Sequence, residues 1–414
     1  MAARPHILFL SQCLPYPPHS GVRSRTFNVL LELQRDFDVT LLSFTRRDHH
    51  PTGADREAAR SALQPLLSRV GLPAPVLAEQ SGLRLIWDHL RSLLTQRPYT
   101  YYQYDSACFR SELRSNLGRA APDLVHLDSP DLYGWLPELP EAPTTCTHHD
   151  IDPLLLRRRA ARTWNPLLSM YIGHQAGLLE QLERTMCPRF NVNIVTSALD
   201  AERLGQLAPG SRTLVVPNGV DTAYFKPMPH IAAAVDRLVF VGPTSQVANR
   251  DAVEYLLSDI FPRVRARRPN ASLHLIGHCS ERDKTRYSAQ TGVACLGQLP
   301  DVRPQLAEAT CSVVPIRVGG GTRVKILDSW AMGRAVVSTS AGCEGLGAVD
   351  GENILVRDTP EGLADAVLEV LRDRSLRCRL GEIGRRTVEE KYGWHIVGRD
   401  LRRAYWGIMR PDLA

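Results

Sequence analysis

The sequence has no CxxC pair and no cluster of cysteines and histidines with the spacing of a metal site. Its nine cysteines are odd in number and scattered between Cys13 and Cys378. This usage excludes a disulfide framework and indicates free thiols in a reducing compartment. No uninterrupted apolar run of about 18 residues is present, so the sequence predicts no membrane span. The first residues contain only a short apolar core before several prolines, which favours a first strand over a signal peptide.

A strong charge imbalance is also missing. The 414 residues carry a formal net charge of +6, which is too mild to indicate a nucleic acid as partner. The charge fits acidic small ligands or an anionic membrane surface. The length, with 43% hydrophobic residues, is enough for two globular domains. We expect a cytoplasmic protein, with peripheral attachment to the inner face of the cytoplasmic membrane as an open alternative.

Short apolar strands alternate with helical patterns in both halves of the chain. The first half begins with strands at residues 6–10 and 39–44 around a helix at residues 27–33, and a second series begins at residues 238–241. Units of this β-α-β kind predict parallel sheets. The expected fold is α/β, with two doubly wound Rossmann-like domains that meet within residues 217–236. Ligands of such folds bind beyond the carboxyl ends of the strands, and the cleft between two domains is the natural site.

A glycine-rich loop is the strongest candidate for a binding site. It consists of Gly319, Gly320 and Gly321 and precedes a predicted helix at residues 322–332, with Thr322 as the N-cap. Glycine lets a ligand approach the backbone closely, and a helix N-terminus attracts anions. The loop therefore indicates a site for an anion.

Two cations, Arg323 and Lys325, lie in the first turn of that predicted helix. Positive charge there opposes the helix dipole, so the pair needs another explanation. A bound diphosphate is one explanation, and a solvent-exposed basic turn is the other. The spacing matches neither the P-loop nor the dinucleotide fingerprint, which leaves both interpretations open.

A second cluster of polar residues follows a predicted strand at residues 144–147. His148 and His149 lie there with Asp150 and Asp152. A metal site is disfavoured, because adjacent histidines on a short loop do not converge easily on one ion. We expect a single histidine to contact a substrate hydroxyl or phosphate, with a purely structural role as the alternative.

Three further features have two interpretations each. Ser20, Gly21 and Arg25 follow the first strand, where they border the expected cleft or form a plain connection. The tyrosine-rich run at residues 98–104 packs between elements or presents aromatic faces to an acceptor, and packing is favoured. Four arginines begin a helical stretch that Pro166 is expected to split. In one interpretation they contact lipid head groups or a phosphate-bearing acceptor, and in the other they form a solvated helix face. These arginines are Arg157, Arg158, Arg159 and Arg162.

Four stretches, in order along the chain, resemble those of the GT-B glycosyltransferases of family 4, also called group 1. They are the first loop, the domain boundary, the glycine-rich loop with its helix, and the closing helices. Their sequences are PYPPHSGVRSR, VVPNGVDTAYFKP, GGGTRVKILDSWAMGRAVVSTSAGCEGL and LGEIGRRTVEEKYGWHIVGRDLRRAY. The resemblance extends over nearly the whole chain. The form PIRVGGGTRVK further resembles a bacterial subgroup linked to exopolysaccharide and exosortase loci.

The resemblance implies a GT-B fold and a retaining, metal-independent sugar transfer of the hexosyltransferase type. The implied donor is a nucleotide-diphosphate sugar, with no further cofactor, and the implied acceptor is a glycan or a lipid-linked molecule of envelope or exopolysaccharide biosynthesis. The implied divisions are an acceptor domain, a linker, a nucleotide-sugar domain and a C-terminal helix that crosses back onto the first domain. These lie at residues 1–216, 217–236, 237–392 and 393–414.

The resemblance also implies roles for individual residues. His149, Arg323 and Lys325 take catalytic positions, the two cations by neutralising the leaving diphosphate. Arg25 and Arg157 belong to the acceptor side. The implied donor-binding residues are Gly21, Gly319, Gly320, Gly321, Thr322, Asp328 and Glu344.

The donor site departs from the family pattern. The family often has one glutamate for the sugar and, after seven residues, another for the ribose, and these positions are Gly320 and Asp328 here. Asp328 still accepts ribose hydroxyls, and Glu344 is the neighbour that replaces the sugar contact. Arg250 is the candidate for a cation that the family carries after the first strand of the second domain. The missing carboxylate raises the alternative of a non-catalytic GT-B partner protein, whereas a sugar-nucleotide epimerase is disfavoured by the PNGVD and closing segments.

Overall fold

The chain forms two compact α/β units. The computed structural model describes residues 4–18, 21–47, 49–67, 69–78 and 82–410. The first unit comprises Met1–Pro217 with Val397–Ala414, and the second unit comprises Asn218–Ile396. Each unit is built on one parallel sheet, which confirms the predicted fold class.

Two central strands of the first unit, His6–Ser11 and Leu124–Leu127, are largely apolar and almost entirely buried, as expected for a parallel sheet that is covered on both faces. Its described strands β1 to β8 are His6–Ser11, Asp38–Thr45, Val70–Gly71, Val76–Leu77, Leu124–Leu127, Thr144–His148, Val192–Val195 and Thr213–Val215. Its described helices α1 to α8 are Gly21–Leu33, Gly53–Leu63, Gly82–Thr95, Thr100–Gln103, Ala107–Arg119, Asp152–Arg162, Pro166–Met186 and Ala198–Leu207.

The strands of the first unit are ordered β3-β2-β1-β5-β6-β7-β8, with β4 also paired to β2, and their pairs are parallel. The order reverses between β1 and β5. The loops that follow these two strands therefore leave the same edge of the sheet in opposite directions, which opens a crevice for a ligand.

The second unit repeats this plan. Its strands β9 to β14 are Arg237–Val241, Ser272–Ile276, Val293–Gly297, Cys311–Val314, Val336–Ser338 and Leu355–Val356. Its helices α9 to α15 are Val247–Tyr255, Phe261–Arg267, Glu281–Ser288, Arg303–Glu308, Val324–Ala331, Pro360–Arg372 and Arg374–Lys391. The strand order is β11-β10-β9-β12-β13-β14, all pairs are parallel, and the order reverses between β9 and β12.

Local sequence explains where several helices begin. Pro166 occupies the first turn of α7, and the Asn165 carboxamide accepts hydrogen bonds from two backbone N–H groups of that turn, which confirms the predicted split. The helix predicted at residues 27–33 begins earlier, at Gly21. Its first two turns contain mostly polar residues, so they show no apolar periodicity.

The last helix, α16, is Trp394–Met409 and starts in the second unit before continuing in the first. In the first unit Tyr405 is fully buried, and its hydroxyl lies 2.8 Å from Nδ1 of His126. Arg402 forms ion pairs with Glu32 and Asp36, which flank the end of α1. The predicted return of the C-terminal helix is thereby confirmed.

Close packing against α15 fixes the position of α13, the helix that follows the glycine-rich loop. Trp330 of α13 is fully buried, and its indole N–H donates to the carbonyl of Asn353 at 2.8 Å. A Cβ atom on Gly384 of α15 would overlap the Trp330 ring, and one on Gly381 would overlap the Gly333 carbonyl. Glycine is therefore required at both positions for the two helices to approach.

We expect Gly384→Ala to lower the free energy of unfolding by about 1–3 kcal/mol, because the added methyl group overpacks a filled interface. Urea unfolding followed by circular dichroism measures the change. Gly205→Ala in α8 is the matched control, since nothing lies within 4 Å of its Cβ position. Alanine there should stabilise the helix by up to about 1 kcal/mol. Unfolding of Gly384→Ala at the wild-type urea concentration would show that the contact does not constrain α13.

Candidate active site

The glycine-rich loop lies at the point where the strand order of the second unit reverses. It connects β12 to α13, and the loop after β9 lies beside it. Gly242 begins that second loop, and a Cβ on this residue would lie 2.6 Å from Nζ of Lys325. Two loops from separate parts of the sequence thus meet at the carboxyl edge of one sheet, where α/β folds bind ligands.

The glycine-rich loop has a backbone that other residues would strain. Gly319 and Gly321 have φ angles of 155° and 62°. The guanidinium of Arg323 folds back over this loop, donates to the Gly320 carbonyl and occupies the space that a Cβ on Gly319 would fill. The loop therefore holds a cation directly against its own backbone.

The start of the following helix corrects one prediction. Helix α13 begins at Val324 with Arg323 in the N-cap position and without a side-chain cap, so Thr322 is not the N-cap. Instead the Thr322 hydroxyl accepts a hydrogen bond from the Asn218 carboxamide at 2.6 Å. Asn218 belongs to the PNGVD segment, so this bond ties that segment to the loop. The first-turn N–H groups of α13 receive no side-chain cap from Arg323.

Lys325 lies in the first turn of α13. Its ammonium donates to the Asn249 carboxamide at 2.6 Å and lies 4.2 Å from the centre of the Phe240 ring. Burial, with the nearby charge of Arg323, lowers the pKa of Lys325 to about 7. Among the described residues it forms no ion pair with a carboxylate. The site thus holds two neighbouring cations whose repulsion an anionic ligand would relieve.

Asp328 follows one turn later on the same helix. Burial raises the pKa of its carboxyl to about 7, and the charge of Lys325 opposes that rise. The side chain is partly buried, and its carboxyl lies close enough to Lys325 for the two titrations to influence each other. The helix therefore presents a cation and a carboxyl group at adjacent turns.

Other candidates around this site have different surroundings. Arg250 donates to the Thr244 carbonyl and lies 3.8 Å from Asp283, so it braces the loop after β9. Glu344 is partly buried in the loop that follows β13 at the same sheet edge. Arg317, which sequence reasoning missed, forms a two-point ion pair with Asp251 at 2.7 and 3.1 Å. This ion pair anchors the first part of the glycine-rich loop.

A polar network occupies the equivalent position in the first unit. Asp128 directly follows β5 and is 2% exposed. The hydroxyls of Ser11 and Thr26 lie 3.1 and 2.6 Å from its Oδ2, and Nε2 of His149 lies 3.5 Å from its Oδ1. Burial raises the pKa of Asp128, but hydrogen bonding and charge from His126 and His149 outweigh it, and the net pKa is well below the ordinary value. Asp128 is therefore a buried carboxylate.

Sequence reasoning missed Asp128, although one signal was present: a carboxylate directly after a short, mostly apolar strand, in LVHLDSP. Asn249 was also missed and has no comparable signal, because only the fold brings it to Lys325.

The two adjacent histidines, His148 and His149, contact different partners. His148 is 1% exposed within β6, where its Nε2 lies 3.1 Å from the Asn193 carboxamide and burial lowers its pKa to about 4. His149 is partly exposed, and its Nε2 donates to the Asp128 carbonyl at 2.8 Å. Since a carbonyl only accepts, Nε2 carries a proton, and in the neutral ring Nδ1 is therefore the acceptor. No group of three metal-ligating side chains is found in the described ranges.

The predicted acceptor-side arginines have partners within the protein. Arg25 is 3% exposed, and its guanidinium donates to the carbonyls of Val216 and Pro217 at 2.7 and 2.9 Å. This burial argues against acceptor binding and assigns Arg25 to holding the end of the first unit's main segment. Arg157 is exposed and ion-paired with Glu180.

Two candidates in the first loop remain, Gly21 and Ser20. Gly21 is exposed at the start of α1, with nothing within 4 Å of its Cβ position. Ser20, with which it was grouped, lies outside the described residues.

The tyrosine-rich run at residues 98–104 packs in the interior and also lines a cavity. Tyr102 and Tyr104 are buried, as the favoured interpretation predicted. The run also lines a cavity of about 420 Å³ in the first unit, together with Arg91, Arg97 and Arg110. In the part of the chain that the structure describes, no helix is both long and apolar enough to cross a membrane.

Comparison with known proteins gives two family matches and several relatives. The chain is 37% identical over 130 residues to LpsE, a lipopolysaccharide core biosynthesis glycosyltransferase of Rhizobium meliloti, and the match covers 30% of the chain and 38% of LpsE. It is 25% identical over 215 residues to the phosphatidyl-myo-inositol mannosyltransferase of Mycolicibacterium smegmatis, covering 50% and 54% of the two proteins. The chain thus matches about half or less of the length of these relatives.

Solved structures share the fold over nearly the whole chain. HepE of Anabaena in complex with UDP superposes with a TM-score of 0.67 at 14% identity, over 97% of this chain and 100% of that one. Sucrose-phosphate synthase of Thermosynechococcus elongatus gives a TM-score of 0.70 at 16% identity, over 99% and 100%. These likenesses show a GT-B fold. Residues 19–224 match the model of glycosyltransferase family 4 and residues 235–373 that of glycosyl transferases group 1. Because these matches follow one another along most of a GT-B chain, the protein belongs to the GT-B glycosyltransferases of group 1, family 4.

Proposed function

We propose that this protein transfers a sugar from a nucleotide-diphosphate donor to a glycan or lipid-linked acceptor, with retention of configuration at the sugar and without a metal ion. The observation that carries the proposal is the pair of cations, Arg323 and Lys325, crowded against a glycine-rich loop at the carboxyl edge of the second unit's sheet. The named relatives act in lipopolysaccharide core and phosphatidylinositol mannoside synthesis, which supports envelope or exopolysaccharide assembly.

The cations would act on the leaving group. During transfer the bond between the sugar C1 and the diphosphate oxygen breaks, the acceptor oxygen bonds to C1, and negative charge grows on the departing nucleoside diphosphate. Fixed positive groups that meet this charge stabilise the transition state more than the ground state. Lys325 and Arg323 are held by Asn249 and the loop backbone before any ligand arrives, so little reorganisation is needed. This is the role a metal ion fills in other transferases.

The groups of the first unit have separate proposed roles. His149 is fixed by the Asp128 carbonyl, so its Nδ1 is available to accept a hydrogen bond from a sugar hydroxyl. The cavity of about 420 Å³ combines tyrosine rings with three arginines and two carboxyl groups. These are Arg91, Arg97, Arg110, Asp105 and Asp131, and Asp105 pairs with Arg91 and Arg110. Aromatic faces suit sugar rings, and arginines suit phosphate or carboxylate groups. We propose that an acceptor with an anionic group binds there.

One observation favours a second candidate function. Gly320 has no side chain where related enzymes carry a sugar-binding glutamate, and its carbonyl is occupied by Arg323. A GT-B protein that binds a sugar nucleotide and assists an active transferase would need no such group. The donor-binding part of the proposal is common to both candidates, and turnover distinguishes them.

Thermal-shift measurements with a panel of nucleoside diphosphates and sugar nucleotides test donor binding, since a ligand of the folded state raises the melting temperature. We expect a shift for one base, and a smaller one in Asp328→Ala because the ribose loses its acceptor. The preferred sugar nucleotide should then release nucleoside diphosphate only when an acceptor extract is added. Tight binding without release under every acceptor condition would favour the assisting protein, and a wild-type shift in Asp328→Ala would remove Asp328 from the ribose site.

We expect Arg323→Ala and Lys325→Ala each to raise the activation free energy by about 2–4 kcal/mol, the cost of losing a preorganised charge donor. The measurement is kcat/KM for nucleoside diphosphate release. Arg263→Ala is the matched control, because Arg263 forms an exposed ion pair with Glu361 elsewhere in the second unit. Wild-type turnover in both site variants would overturn the diphosphate assignment.

We expect donor affinity to fall as pH rises above 7. Without ligand, Lys325 has a pKa of about 7, so it loses its proton through this range. An anion binds the protonated form and raises that pKa, so binding takes up a proton and the dissociation constant increases about tenfold per pH unit between the two pKa values. Titration of the preferred sugar nucleotide between about pH 6.5 and 8.5 avoids ionisation of its phosphates.

Two variants test the assignment of this slope. Lys325→Ala should abolish it, whereas Asp328→Asn should keep it but move it to lower pH, because the Asp328 carboxylate raises the pKa of Lys325. A slope that survives in Lys325→Ala would assign the titration to another group.

A further inference from the structure

Helix α3 presents its polar side to the protein and its apolar side outward. Its buried residues are Asp88 and Ser92. Leu83 and Leu94 are 82% and 81% exposed, and Trp87 is 56% exposed. The surface helix of a soluble protein normally has the opposite arrangement, with its apolar stripe against the core. An outward stripe of this kind indicates that something else covers it.

Polar contacts hold α3 in this orientation. Asp88 pairs with Arg84 at 3.0 Å on the same helix. The Ser92 hydroxyl donates to the Arg97 carbonyl at 2.6 Å and accepts from the Gln175 carboxamide of α7 at 2.9 Å. Since the buried side is satisfied by hydrogen bonds, rotating the helix to bury its apolar side would break them.

The beginning of α7 extends the apolar side. His89 of α3 contacts Tyr171 of α7. One turn later on both helices, Ser92 of α3 contacts Gln175 of α7. The two helices therefore run side by side in the same direction. The residues just before this contact are Trp164, 93% exposed, and Leu167 and Met170, 72% and 69% exposed. We call these residues, with the outward residues of α3, the outer apolar surface.

The charge around the outer apolar surface is mostly positive. Residues 82–105 contain three arginines and two acidic residues, Asp88 and Asp105, and residues 152–180 contain four arginines and two acidic residues, Asp152 and Glu180. Although Arg91 pairs with Asp105 and Arg157 with Glu180, the two segments together keep a net charge of +3. Arg159 and Arg162 are exposed at the end of α6, next to Trp164.

We propose that the outer apolar surface docks on an anionic lipid bilayer. Apolar and tryptophan side chains on one face of a helix, flanked by arginines, match a helix that lies in the plane of the membrane interface. A second copy of this chain would instead bring two arginine-rich surfaces together, which repel. The inference deepens the proposed function, and rests on it only in that a lipid-linked acceptor is presented at a bilayer.

Co-sedimentation with vesicles of phosphatidylcholine alone, or with phosphatidylglycerol added, tests the docking surface. We expect binding to anionic vesicles that weakens with salt. The double variant Ile86→Gln with Leu90→Gln, both exposed, should lower the partition coefficient at least tenfold. Arg159→Gln with Arg162→Gln should lose the preference for phosphatidylglycerol. Val235→Gln with Val247→Gln changes two exposed apolar residues of the second unit and is the matched control.

Wild-type sedimentation of the Ile86→Gln, Leu90→Gln protein with anionic vesicles would overturn the proposal. A second result would also overturn it. In that case the wild-type protein does not bind vesicles and instead forms a concentration-dependent dimer, which the same variant abolishes. The variant's donor-induced thermal shift should equal that of the wild type, which shows that it is folded. A protein that binds vesicles but releases no nucleoside diphosphate would contradict the proposed function and leave the docking surface supported.

Discussion

The constraint on which both candidate sites depend is the direction of the strands. In a parallel sheet every connecting loop after a strand leaves from the carboxyl edge, and where the strand order reverses two such loops diverge. In the first unit this reversal brings Asp128 beside Ser11 and the start of α1. In the second it brings the glycine-rich loop beside Gly242. Neither site is contiguous in sequence, yet each follows from one rule of chain connection.

The two units differ in the groups that surround their buried ionisable side chains. Asp128 is surrounded by hydroxyls and imidazoles and keeps its charge, so its network is complete without a ligand. Lys325 is held by a neutral carboxamide and an aromatic ring beside Arg323, and its pKa is lowered. The Asp328 carboxyl opposes this decrease only in part, so the charged form of Lys325 stays disfavoured by burial. An anionic ligand such as the proposed diphosphate would favour the charged form of Lys325, whereas the Asp128 network is satisfied by the protein's own groups.

Sequence reasoning was accurate where one local principle dominates. Alternating apolar strands predicted both parallel sheets, and Pro166 predicted the division of α6 from α7. It was wrong at Thr322, because a tertiary hydrogen bond from Asn218 competes with the cap. The burial of Arg25 depends on carbonyls far along the chain, at residues 216 and 217, which no local pattern indicates. Helix α3 has an amphipathic sequence, but the period of its apolar residues does not say which side faces inward.

Helix α16 has a consequence for the order in which the protein is assembled. The first unit includes residues from both ends of the chain, and Tyr405 completes the hydrogen bonding of His126, which in turn neighbours Asp128. The second unit is continuous and is fully synthesised earlier. During synthesis on the ribosome, the second unit is therefore complete before the first unit, which still lacks its last helix. The last helix closes a polar network whose other members emerged hundreds of residues before it.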